Sequence, residues 1–73
     1  MTERTTYRVG IDIGGTFTDV VLLDSKTQEI TFGKAPTTPA DRAIGFFNGL
    51  DLVLDASGAD AAKITEIVHG STV

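Results

Sequence analysis

The stretch Gly10-Ile11-Asp12-Ile13-Gly14-Gly15-Thr16-Phe17-Thr18-Asp19 sets an acidic residue near a strand end, then two glycines, then two threonines. Glycine adopts positive φ and lets a ligand approach without Cβ interference, so the amides from Gly14 to Thr18 can converge on phosphate oxygens. Thr16 and Thr18 add hydroxyl donors two positions apart, on one side of an extended chain. Asp12 beside those phosphates is repelled unless a divalent cation lies between, which assigns it to Mg²⁺ through water, or to orienting a nucleophile. A second reading stays open on these residues alone: Gly14-Gly15 only makes a tight hairpin, with Asp12 and Asp19 as its turn residues. Two other phosphate loops are excluded, since no G-x-x-x-x-G-K-[ST] occurs and glycines 10, 14 and 15 do not fit G-x-G-x-x-G.

A second group of polar residues closes the chain, His69-Gly70-Ser71-Thr72. If the strand before it is parallel to the first, these residues fall beyond its carboxyl end, where ligands of such sheets gather, and become candidates for nucleotide or substrate contact. An imidazole can exchange a proton near neutrality, but a lone histidine after Ile67-Val68 is also what an ordinary strand end looks like. Lys34 reads as a solvated lysine, and Asp51 with Asp55 as a solvated helical face.

Elements of definite type must position these residues. Tyr7, Val9, Ile11 and Ile13 alternate with Arg8, Gly10 and Asp12, the period of a strand. Thr18 to Leu23 is a β-branched and apolar run, a second strand joined so closely that the pair must be a hairpin. After the polar turn 24–28, Glu29 to Ala35 forms a third antiparallel strand. Thr38 as N-cap, Pro39 at the first helical position and Asp41 at the third place a helix start near Pro39. Its apolar face comprises Ala43, Phe46, Phe47, Leu50, Val53 and Leu54, and Gly58 stands where a C-terminal cap belongs. Gly45 and Gly49 inside this helix suggest a close approach by a neighbour, or are simply tolerated. Ile64 to Val68 then returns as a strand parallel to the first. One helix leaves half of such a sheet bare, so a fragment or one chain of an assembly is expected.

The 73 residues carry a formal charge of −4, with Arg4, Arg8, Lys26, Lys34, Arg42 and Lys63 scattered singly. No basic stripe is available to neutralise a nucleic-acid backbone, and no nucleic-acid partner is expected. The longest apolar runs, such as Val20-Val21-Leu22-Leu23, are far below the ~20 residues that cross a bilayer, so no membrane partner is expected either. Residues 1–6 carry no secretory signal, and a cytoplasmic location is expected. A chain of this length buries only roughly 60% of its unfolded surface, and without cysteine it has neither disulfide nor thiolate zinc site to compensate.

The order strand, glycine hairpin, strand, strand, helix, strand resembles the opening of the ribonuclease-H-like domain of the actin, sugar kinase and Hsp70 superfamily. The resemblance implies an α/β half-domain, a three-stranded antiparallel meander followed by a helix and a parallel strand, in which the first hairpin holds ATP phosphates and the acidic residue serves the metal. Val9 to Val21 is similar to the start of hydantoinase A and 5-oxoprolinase proteins, with Phe17-Thr18-Asp19 separating it from most sugar kinases. Lys34-Ala35-Pro36-Thr37-Thr38-Pro39 and His69-Gly70-Ser71-Thr72-Val73 fit the same family, with serine at 71 where a second threonine is commoner. The family implies that residues 1–73 begin a longer ATPase domain, with Asp12 as catalytic and metal residue and Gly14, Gly15, Thr16, Phe17 and Thr18 as the nucleotide contacts. It implies ATP and Mg²⁺ or Mn²⁺ as cofactors, and the rest of the polypeptide or companion subunits as partners. The activities implied are hydrolysis of a cyclic amide of hydantoin or 5-oxoproline type, or carboxylation of a ketone such as acetone or acetophenone. A sugar-kinase-like protein and a non-catalytic nucleotide-binding module are the further alternatives. The chain alone is expected to be inactive, because phosphoryl transfer needs a second domain to close over the nucleotide.

Overall fold

A computed structural model of the protein describes residues 5–71. Alternating apolar residues give β1 (Tyr7–Ile13), and a β-branched and apolar run gives β2 (Phe17–Asp24); β3 (Ile30–Pro36), the helix α1 (Arg42–Ser57), a 3₁₀ turn (Ala61–Lys63) and β4 (Ile64–Ser71) follow. The sheet order is β3-β2-β1-β4, with the β1–β2 and β2–β3 pairs antiparallel and β4 parallel to β1. This is the expected meander, helix and parallel return.

One face of the sheet meets α1. Val9, Ile11 and Ile13 of β1, Val20 and Leu22 of β2, and Val53 of α1 form the buried core, with Phe46 and Leu50 packed against it. The buried row of α1 is Gly45, Gly49 and Val53, flanked by the partly buried Phe46 and Leu50, a narrower face than the one read from spacing. Phe47 is 57% exposed and Ala43 is exposed too. The physical reason is the glycine row, which brings the helix backbone onto β2 and β3. A Cβ on Gly49 would lie 2.6 Å from Val20 Cγ2, and one on Gly45 would lie 3.0 Å from the Pro36 carbonyl oxygen. The close approach expected of these glycines is therefore present.

The helix begins three residues later than expected. Asp41, in extended backbone, is the N-cap and accepts from the Ala43 N–H at 3.1 Å. Thr38 instead opens a turn closed by the Asp41 N–H on the Thr38 carbonyl at 3.1 Å, with Pro39 at its second position. A turn that suits Pro39 uses up the residues that could otherwise start the helix. Gly58 ends α1 in the left-handed region at φ 72, as expected. The β2–β3 turn is held by Asp24, whose carboxylate accepts from the Lys26 and Thr27 amides at 2.8 and 3.1 Å. The Thr27 backbone N–H is the main cause that keeps its pKa below the ordinary aspartate value.

Candidate functional site

The β1–β2 hairpin is closed by the Gly14 N–H on the Phe17 carbonyl at 2.9 Å. Neither Gly14 nor Gly15 has positive φ, which among the described residues occurs at Gly58 and Gln28 alone. The expected left-handed turn is thus absent, and handedness does not explain these glycines. A Cβ added to Gly15 meets no atom within 4 Å. Among the described residues neither backbone strain nor packing demands glycine there, which leaves room for a ligand against the backbone as its use.

Asp12 stands on the sheet face opposite α1, exposed, directly across from Asp19 of β2 and beside Gly70 of β4. Gly10, two residues earlier on that face, has open space where a Cβ would be. Glycine on two sides gives a ligand lateral access to the Asp12 carboxylate. Like charges directly opposite on neighbouring strands repel, and Lys34 Nζ, 3.8 Å from Asp19 Oδ1, offsets part of this. Asp19 Oδ1 is shielded from solvent yet makes no hydrogen bond among the described residues. Asp19 was invisible as a site residue in the linear motif, where it reads as a turn residue; the hairpin register is what sets it against Asp12.

This arrangement suits a divalent cation held jointly with phosphates. Mg²⁺ usually takes one or two carboxylates and leaves its other positions to water and phosphate, and the pair Asp12 and Asp19 supplies that donor set. Among the described residues no group of three acidic, histidine or cysteine side chains forms a protein-only cage.

Thr16 is exposed at the hairpin, but Thr18 is fully buried on the α1 side, its hydroxyl 3.0 Å from that of Thr37. The two hydroxyls therefore do not present one donor surface. Period-2 alternation applies to Thr18 inside β2 and not to Thr16 in the loop. Phe17 lies on the open face, 46% exposed, with Lys34 Nζ 5.2 Å from its ring centre.

His69 and Gly70 lie within β4, not beyond its end, because backbone pairing continues through Ile11, Asp12 and Ile13. His69 pairs with Ile11 and so faces the α1 side, away from Asp12. There it borders a largely apolar groove with Ile11, Ile13, Ala43, Phe46 and Ile67. The structure thus groups Asp12, Asp19, Gly70 and the hairpin, and separates His69 from them. Ser71 follows at register with Ile13, and Thr72 lies outside the described residues.

Residues 8–73 match the family described as the hydantoinase/oxoprolinase N-terminal region. The chain belongs to this family. Among curated relatives, the caprolactamase subunit alpha of Pseudomonas jessenii is 44% identical over 92% of this chain and 10% of its own length. The acetophenone carboxylase gamma subunit of Aromatoleum aromaticum is 41% identical over 88% of this chain and 9% of its own. An uncharacterized protein of Methanocaldococcus jannaschii is 40% identical over 92% of this chain. Among solved structures, a nucleotide-free acetone carboxylase, described as ATP-dependent, superposes with a TM-score of 0.82 at 28% identity, covering 94% of this chain and 10% of that one. The chain thus spans about a tenth of the length of the hydantoinase-family relatives it matches. No helix among the described residues is long and apolar enough to cross a membrane.

Proposed function

We propose that this chain is the phosphate-binding amino-terminal part of an ATP-dependent enzyme that activates a carbonyl oxygen by phosphorylation and opens a cyclic amide. The observation that carries the reading is the pairing of a hairpin whose Gly15 has no internal reason to be glycine with an exposed carboxylate flanked by glycines on the same end of the sheet. The Gly15 N–H and the Thr16 hydroxyl donate to phosphate oxygens, the Gly14 N–H being used by the Phe17 carbonyl, and Asp12, with Asp19 across from it, holds the metal side of the nucleotide. A Mg²⁺ held there would supply charge neutralisation for phosphoryl transfer, and ATP would supply the phosphoryl group that turns a carbonyl oxygen into a leaving group. Thr18 serves from inside, through Thr37. The cyclic-amide preference is supported by the similarity to a caprolactamase subunit. Ketone carboxylation is the second reading, supported by the likeness to acetophenone and acetone carboxylases.

In either reading the catalytic unit includes companion subunits, as the subunit names of the relatives suggest, and the remainder of a longer polypeptide, as the tenth of their length that this chain spans suggests. The test is ATP hydrolysis by the full-length protein with its companions, with Mg²⁺, on hydantoins, lactams, 5-oxoproline, and ketones with bicarbonate. Stimulation by a cyclic amide supports the first reading. Stimulation only by a ketone with bicarbonate replaces it with the second.

A further inference from the structure

Thr37, in the linker between β3 and α1, lies outside the glycine motif yet holds both legs of its hairpin. Its backbone N–H donates to the Thr16 carbonyl at 2.8 Å, and its hydroxyl donates to the Gly14 carbonyl at 2.8 Å. The same hydroxyl lies 3.0 Å from the Thr18 hydroxyl. A threonine has one hydroxyl proton, and a carbonyl only accepts, so Thr18 must be the donor to Thr37. The chain therefore runs from Thr18 O–H to Thr37 O–H to the Gly14 carbonyl, and successive bonds of this kind polarise one another.

The consequence falls on the peptide plane between Gly14 and Gly15. No described peptide bond is cis, and in a trans peptide the carbonyl and the N–H point to opposite sides. Thr37 and Thr18 draw the Gly14 carbonyl towards the α1 side, which turns the Gly15 N–H towards the side that carries Asp12. No hydrogen bond among the described residues uses the Gly15 N–H. A plane flanked by two glycines rotates with little steric hindrance, so a tether is what gives it one orientation. The tether has a backstop in α1, where a Cβ on Gly45 would lie 3.3 Å from Thr18 Oγ1 and 3.4 Å from Thr37 Cα.

We propose that Thr37 is a positioning residue that aims the Gly15 amide at a phosphate group of the nucleotide; this rests on the phosphate-binding reading above. The test compares the wild-type full-length protein with Thr37→Val and Thr37→Ser. Calorimetry with MgATP reads affinity, and amide hydrogen exchange without nucleotide reads the hairpin. Thr37→Val is expected to weaken MgATP binding about tenfold or more and to speed exchange across residues 14–17, while exchange in β1 and β4 stays as in wild type. Thr37→Ser, which keeps the hydroxyl, is expected to restore both. Thr18→Val, close in shape and lacking the donor, is expected to weaken binding in the same direction. Tight MgATP binding by wild type and Thr37→Val alike overturns the role of Thr37, as does equal impairment of the Val and Ser variants. A wild type that binds no MgATP overturns the phosphate-binding reading and the proposal with it.

Discussion

At the residue scale, Gly15 is a glycine that nothing among the described residues requires. Gly15 has no positive φ, and an added Cβ finds open space. Gly15→Ala is therefore expected to leave stability unchanged or raise it by about 0.4–1 kcal/mol through the unfolded chain, while MgATP binding weakens about tenfold or more. Thermal unfolding and calorimetry on the full-length protein check the two halves separately. Loss of stability with unchanged binding would assign Gly15 to the fold. The motif residues were legible in the sequence because acid, glycine and threonine at that spacing carry their chemistry locally. Thr37 and Asp19 were not, since the first works through a hydrogen bond to Gly14 and the second through the register of a hairpin. Thr18 does not share a side with Thr16 because Thr16 lies in the loop before β2, where the alternation of the strand does not hold.

At the scale of elements, the helix is placed by glycines, so enlarging them should act as overpacking. Gly49→Ala puts a methyl 2.6 Å from Val20 Cγ2 at a fully buried position. A destabilisation of about 1–3 kcal/mol is expected, seen as faster amide exchange in α1 and β2. The helix start gives a sharper contrast. Asp41→Ala should cost about 1 kcal/mol of α1 stability, whereas Thr38→Ala should leave the helix cap intact, and exchange in the first turn of α1 distinguishes them. The first strand was legible from its period of two, the second from its β-branched and apolar run, and the parallel return of β4 from the helix before it. The helix start was not, because Thr38, Pro39 and Asp41 all carry the chemistry of a helix start and only the turn between them decides. Counting apolar residues gives glycine no weight, so the apolar face came out too wide, although the spacing of Gly45 and Gly49 already pointed to a close approach.

At the scale of the whole molecule, the sheet is covered on one side by a single helix. Phe17, Ile30, Phe32 and Val68 stand exposed on the other, the side of Asp12, as expected of a half-bare sheet. In the proposed enzyme that face is where the nucleotide and the remaining polypeptide meet, and this is why the chain by itself is expected to show no turnover. The most direct test of the central claim is substrate-stimulated, Mg²⁺-dependent ATP hydrolysis by the full-length protein, wild type against Asp12→Asn. A fall of about a hundredfold or more in the variant, with the fold intact by circular dichroism, is the predicted result. Undiminished hydrolysis without the Asp12 carboxylate would contradict the account.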